Sequence, residues 1–165
     1  MSALLTPVAI LTLGNARLRA PAQAVTRFDS ELVHLLELMR VSMRAAEGIG
    51  LAANQIGDPR AVAIVEHDGQ LIELINPRRT AGHGYQAGSE GCLSLPGFVA
   101  ELVRPAELTV EAHNRRGRRY HLHAHGLLAR ALAHELDHLA GRLYIDHLDS
   151  LDQLYRSAPL APSEV

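Results

Sequence analysis

The chain has 165 residues, 47% hydrophobic and 21% charged, which suits one ordinary globular domain and is too short for two independent ones. Those fractions with a formal charge of −2 exclude a disordered acidic or basic tail protein, and the near-neutral charge argues against nucleic acid as the main ligand. A single cysteine, Cys92, excludes a disulfide-stapled scaffold and points to a reducing compartment.

The first apolar stretch, Ala3 to Leu13, is interrupted by Thr6 and Pro7 and has no basic residue before it. It therefore reads neither as a signal peptide nor as a membrane span, and a cytoplasmic protein without membrane or DNA partners is expected. Asp29 or Ser30 can cap a helix in which Leu32, Leu36, Met39 and Met43 recur at helical spacing, ending near Glu47 before Gly48 and Gly50. Ala61–Val65 and Leu71–Ile75 read as strands joined by a turn at His67-Asp68-Gly69. Alternation around Leu108–Ala112 and Tyr120–Ala124 predicts a second hairpin about the loop Asn114–Gly117. A strong helix, Leu127–Ala140, follows Gly126 and stops at Gly141. The pattern is α+β, with mostly antiparallel strands around a helix that carries the chemistry. One domain is expected over 1–165, structured to about residue 150, with a loose tail over 157–165.

That helix contains His134-Glu135-Leu136-Asp137-His138. Imidazoles four positions apart share a face and can bind one metal, with the intervening glutamate placed to act on water. At ~100° per residue, Leu127, Ala131 and His138 lie within about 60° of His134, while Leu128, Leu132, Leu136 and Leu139 form a separate leucine face. The same pattern marks a class of zinc proteases that places a third histidine further on, but Tyr144 stands at that position. A third ligand must then come from elsewhere, and Cys92, in the turn-rich segment Glu90-Gly91-Cys92-Leu93-Ser94-Leu95-Pro96-Gly97, supplies a soft thiolate. A cysteine nucleophile with a histidine base is the competing use of that thiol. A third segment, Gly48-Ile49-Gly50-Leu51-Ala52-Ala53-Asn54-Gln55, lacks the features of a phosphate loop. It offers instead close backbone approach and a neutral amide donor at Gln55.

Together, in this order, Gly-x-Gly-x-Ala-Ala-x-Gln, Glu-Gly-Cys-x-Ser and His-Glu-x-x-His resemble the peptide deformylase family, in its compact bacterial form, from about Ile10 to Leu148. The resemblance implies a metal-dependent hydrolase that removes the formyl group from the N-terminal formylmethionine of new polypeptides, releasing formate. It implies one divalent metal held by Cys92, His134 and His138, with Fe(II) favoured in the cell and Zn, Ni or Co as substitutes. Glu135 would move protons between the attacking water and the leaving amine, and Gln55 and the Leu93 N–H would stabilise the oxyanion. The peptide would bind as an added strand, with Leu127, Ala131 and Ile49 around the methionine side chain and Gly48, Gly50 and Glu90 holding backbone or loop geometry. N-formylmethionyl peptides and nascent chains are the implied partners, with transient ribosome contact. A metalloprotease and a metal-stabilised binding module remain as alternatives; Glu135 and Gln55 argue against the latter, since binding needs neither.

The sequence departs from the family pattern at Ala133, where Gln is usual and a hydrogen bond behind the ligands would be lost, and at Asn54, often Pro, which loosens one turn at most. Arg115, Arg116, Arg118 and Arg119 form a basic loop that reads as a solvated hairpin tip. The stretch after Asp149 is short and carries only Arg156, which leaves little for a basic docking helix. His121, His123 and His125 alternate on one strand face, read as a solvated sheet surface.

Overall fold

The computed structural model describes residues 5–157. Helix α1, Ser30–Ala45, begins where the Asp29 carboxylate accepts from the Glu31 and Leu32 N–H groups, so the predicted cap is Asp29. It buries Leu32, Leu36, Met39 and Met43, the periodic residues, together with Leu35. Six strands follow in one antiparallel sheet: β1 (Gly50–Ala52), β2 (Val62–His67), β3 (Gln70–Cys92), β4 (Leu95–His113), β5 (Arg119–His125) and β6 (Tyr155–Arg156). They run β1-β2-β3-β4-β5 across the sheet, with β6 on β4. Helix α2, Gly126–Leu139, lies between β5 and the C-terminal turns.

The apolar run that forms β2 is explained by its two neighbours. Val62 and Ile64 pack with Leu32, Leu36, Met39 and Met43 of α1, while Ala63 and Val65 pack with Ala129, Ala131, Leu132 and Leu139 of α2. A strand buried on both faces cannot alternate apolar with polar residues. Its turn to β3 places Asp68 and Gly69 at φ 49° and 73°, the positive pair that a two-residue hairpin requires.

The largest departure from the sequence reading lies between residues 76 and 107. The sequence predicts no strand there and offers only the turn-rich segment Glu90–Gly97; glycines at 82, 84, 88, 91 and 97 and prolines at 77, 96 and 105 stand in the stretch. The structure instead builds a long β3–β4 hairpin whose register shifts between Ile75 and Arg78, between Arg79 and Ala81, and between Gly91 and Cys92. Such irregularities bend a long ribbon without ending it. Prolines are tolerated because β5 pairs with β4 only over 107–113, leaving Pro96 and Pro105 on stretches that β5 does not cover. Cys92 therefore ends a strand, and Pro96-Gly97 lies within β4 rather than in a turn.

One further expectation needs correction. Arg115 is not a solvated loop residue, because its guanidinium reaches Glu73 on β3 and Glu37 on α1 and ties the hairpin to both; Arg116, Arg118 and Arg119 are exposed as expected. Beyond residue 150 a 3₁₀ turn at Leu151–Gln153 leads into β6, and the Ser157 N–H donates to Gly97 O. The remainder of the expected tail, 158–165, lies outside the described residues. His121, His123 and His125 do face solvent, while Ala124 is buried and Leu122 packs against the core.

Leu132, fully buried at the centre of the α2 contact, should cost about 2–5 kcal/mol of stability when cut to alanine. Urea unfolding monitored by circular dichroism would measure it.

Candidate metal centre

Helix α2 presents His134, Glu135 and His138 inward, because Arg130, His134, Asp137 and His138 are all buried on the side away from the leucine face. The β3–β4 hairpin brings Cys92 to them. Cys92 Sγ lies 3.2 Å from His138 Nε2, which lies 3.1 Å from His134 Nε2. The three donor atoms lie within 4.8 Å of one another, the one such group among the described residues. Tetrahedral zinc with Zn–N of about 2.0–2.1 Å and Zn–S of about 2.3 Å would separate its donors by roughly 3.3–3.6 Å. The donor triangle is thus close to the size that a small divalent ion needs.

The protonation pattern agrees with a site shaped for a cation. Burial opposes charge on His134, but hydrogen bonds to Cys92 and Glu90 outweigh it and hold its pKa up at about 10. Burial and the neighbouring His134 charge push His138 down to about 3. Two imidazoles at this distance share one positive charge, and a metal ion can take the place of that proton.

Behind the triangle stands a buried ionic network. Glu90 is the acceptor for His134 Nδ1 at 2.6 Å and for both arms of Arg104 at 2.6 and 3.0 Å, and Arg130 adds a contact at 3.2 Å. Arg104 also donates to Asp137, which accepts from His147 as well. Burial pushes the Glu90 carboxyl up, yet the hydrogen bonds from His134 and Arg104 prevail and lower it to about 2. An imidazole whose Nδ1–H is fixed in this way presents its Nε2 lone pair to a metal.

In front of the triangle is a cleft of about 810 Å³. Of the residues singled out in the sequence, Gly48, Ile49, Gly50, Gln55, Glu90, Cys92, Leu93, Leu127, Ala131, His134 and Glu135 all border it, and only His138 sits behind, 1% exposed. Ile49 and Leu127 stand at the mouth, while Ala131 is buried at depth. The Glu90 carboxylate is engaged by His134 and the two arginines, so its structural place is behind a histidine rather than along a peptide. Gln55, on a 3₁₀ turn at Ala53–Ile56, accepts from the Ala52 N–H and donates to Ser94 Oγ, with its Nε2 3.7 Å from Cys92 Sγ. Both glycines have steric reasons: a Cβ on Gly50 would collide with Glu135 Oε1, and one on Gly48 with the Leu93 side chain. Asn54 does not loosen its turn, since its amide donates to His138 O at 2.6 Å and ties the turn to α2. Ala133 is half-buried against the apolar core.

Glu135 is buried with Oε2 unpartnered, and burial raises its pKa to about 7. Arg104, Arg130, Asp137 and His147 were not singled out in the sequence. The signal for two of them was present: Arg130 and Asp137 fall at about 300–320° on the same angular count, beside the histidines.

A family model described as polypeptide deformylase matches residues 7–154. Peptide deformylase 1 of Bacillus anthracis is 48% identical over 132 residues, 79% of this chain and 85% of that protein. Peptide deformylase of Thermoanaerobacter pseudethanolicus is 44% identical over 134 residues, 81% of this chain and 84% of that protein. Among solved structures, a peptide deformylase from Legionella pneumophila superposes with a TM-score of 0.87 at 38% identity, covering 90% of this chain and 89% of that one. One from Synechococcus elongatus in complex with actinonin gives 0.86 at 35% identity, covering 93% and 85%.

Replacing Arg104 by methionine would strip Glu90 of two hydrogen bonds and leave buried carboxylates short of a cation. A loss of about 3–5 kcal/mol is expected in chemical denaturation, the usual scale for breaking a buried pair from one side.

Proposed function

Because the chain belongs to the peptide deformylase family, we propose that Cys92, His134 and His138 hold one divalent metal ion beside Glu135, Gln55 and Leu93 as its catalytic groups. The reaction is hydrolysis of the N-formyl group from the N-terminal formylmethionine of new polypeptides, with release of formate. The observation that carries the assignment of roles is the convergence of three donor atoms and one buried carboxylate at the base of a single cleft. The residues described form one catalytic domain on this reading.

A metal ion in this triangle would supply a Lewis acid, which acidifies water and polarises the formyl oxygen. Glu135 takes a proton from the attacking water and returns it to the departing amine nitrogen. A carboxyl raised by burial to about 7 is suited to both directions at neutral pH. The Gln55 amide, which accepts from Ala52 and whose Nε2 donates to Ser94 Oγ and faces Cys92 Sγ, would turn its donor to the oxygen that gains charge, with the Leu93 backbone N–H as its partner. Gly48, Ile49 and Gly50 offer an edge for a peptide laid down as a strand, and Ala131 with Leu127 accommodates the methionine side chain. A formyl carbon bears only hydrogen, so a tight site excludes acetyl by clash.

A thiolate with two imidazoles suits Fe(II), Zn, Co or Ni, and Fe(II) is our assignment in the cell, which we take to be the cytoplasm. The described residues contain no helix long and apolar enough to cross a membrane. Nascent chains are the natural substrates, met in transient contact with the ribosome.

The deciding experiment compares Glu135→Gln with Cys92→Ala in anaerobic preparations, measuring metal content, formyl-peptide binding and formate release. Glu135→Gln should keep about one metal per chain and bind peptide while losing on the order of 10²-fold or more in turnover. Cys92→Ala should lose metal. Full turnover in Glu135→Gln would overturn the mechanism, and metal retained by Cys92→Ala with a chelator-resistant parent would favour a cysteine nucleophile. Zinc rather than iron in active anaerobic protein would remove the Fe(II) assignment.

A second prediction follows from the Gly50–Glu135 contact. Gly50→Ala should displace the Glu135 carboxylate and lower kcat while leaving metal content near that of the parent. Steady-state kinetics with metal analysis on the same sample would show this split.

A further inference from the structure

One face of the His134 imidazole lies against a ring that the reaction does not use. Tyr144 opens the 3₁₀ turn Tyr144–His147, which follows α2. Its phenol is tilted only 26° from the His134 ring, with the two centroids 6.2 Å apart. That separation falls within the range of offset aromatic contacts, about 4.5–7 Å. The phenol is 1% exposed and packs with Ala100 and Leu102 of β4. Its hydroxyl donates to Phe98 O at 3.1 Å, so the far end of the ring is tied to β4 where that strand borders the cleft. The turn itself is held separately, by Asp146 accepting from the Leu143 N–H and from Arg19.

Glu90 holds His134 at Nδ1 alone. One hydrogen bond leaves a ring free to rotate about the line of that bond. Nε2 lies off this line, so rotation would carry its lone pair away from Cys92 and His138. A contact along the face of the ring removes that freedom. In the zinc-protease pattern the position of Tyr144 would carry a third histidine ligand. Here its hydroxyl is committed to β4, and burial with Cys92 and Glu90 nearby pushes its pKa up to about 12, so it stays a neutral donor.

Taking His134 as a metal ligand, we propose that Tyr144 is a positioning residue: its ring holds the imidazole in the plane that aims Nε2 at the ion, and its hydroxyl anchors that ring to β4. Glu90 and Tyr144 then restrain the same histidine in two different ways, one in the plane of the ring and one across it. A residue that served the core alone would lose stability on substitution without altering the arrangement of the donors, and the test separates the two.

The whole chain is loaded anaerobically with Co(II), and its visible absorption, chelator competition and urea unfolding are measured on the same samples. Tyr144→Leu should still bind about one Co(II), with altered d–d bands and an affinity about 10–100-fold lower, the usual scale for losing support behind a ligand histidine. Tyr144→Phe keeps the ring and should retain the parent spectrum and affinity. Leu36→Ala, equally buried but on α1, should unfold at lower urea with the parent spectrum. Should Tyr144→Leu not fold, Tyr144→Met takes its place with the same expectation. Parent spectrum and affinity in the ring-less variant overturn the positioning role. So does a spectral change that Tyr144→Phe or Leu36→Ala shows equally. A parent that binds no Co(II) overturns the metal assignment and this role with it, a result distinct from the others.

Discussion

The Glu90 carboxylate is the group on which the rest of the site depends. A lone carboxylate this deep would be strongly disfavoured, and three cationic or donor groups, Arg104, Arg130 and His134, compensate it. They come from β4 and α2, while Glu90 itself is on β3, so one buried charge joins the hairpin to the helix. Its pKa, lowered from an ordinary 4.5 to about 2, lies below the unfolded value, so its stabilisation is present above about pH 4.5 and is lost as pH falls toward 2. Throughout the neutral range it stays charged and holds His134 in one orientation.

The rest of the geometry follows from that attachment. Glu90 and Cys92 are two residues apart near the end of β3, so fixing the first against His134 carries the second to His138. The 3₁₀ turn after β1 is brought in from the other side by Asn54, whose amide holds the His138 carbonyl, and by Gln55, which holds Ser94. Three segments far apart in sequence thus close on one point, each held by a buried polar contact to another. The glycines at 48 and 50 are what remain when the backbone must pass against Leu93 and Glu135 without side chains of its own.

The sequence was most informative where chemistry and periodicity coincide. α1, the β2–β3 turn, the β4–β5 hairpin and α2 were all legible, because each has a hydrophobic period and a polar terminator nearby. The donors Cys92, His134 and His138 were legible by type and spacing. What stayed hidden depends on pairing at long range. Residues 76–107 give no clear strand signal because bulged strands tolerate Gly and Pro, and their register is set by partners rather than by local preference. The Glu90–Arg104 pair, 14 residues apart, exists only once that hairpin is folded, and Arg115 looked solvated because Glu73 and Glu37 are distant in the chain.

The interior also records where the geometry of the site and stability pull apart. Of four buried side-chain atoms without a hydrogen-bond partner among the described residues, three belong to Asn54, Glu135 and His138 around the Cys92–His134–His138 triangle. Buried polar groups left unmade cost about 1–3 kcal/mol each, which a fold selected for stability alone would avoid. Glu135 is the clearest case: burial beside Gly50 disfavours its charged form, yet that same desolvation raises its pKa into the range in which a carboxyl can both accept and donate a proton at neutral pH. The leucine face of α2, packed on β2 and β4, offsets such losses by apolar burial on the opposite side of the same helix. One face of α2 thus anchors the helix, and the anchored helix can hold poorly satisfied groups at a fixed position on the other.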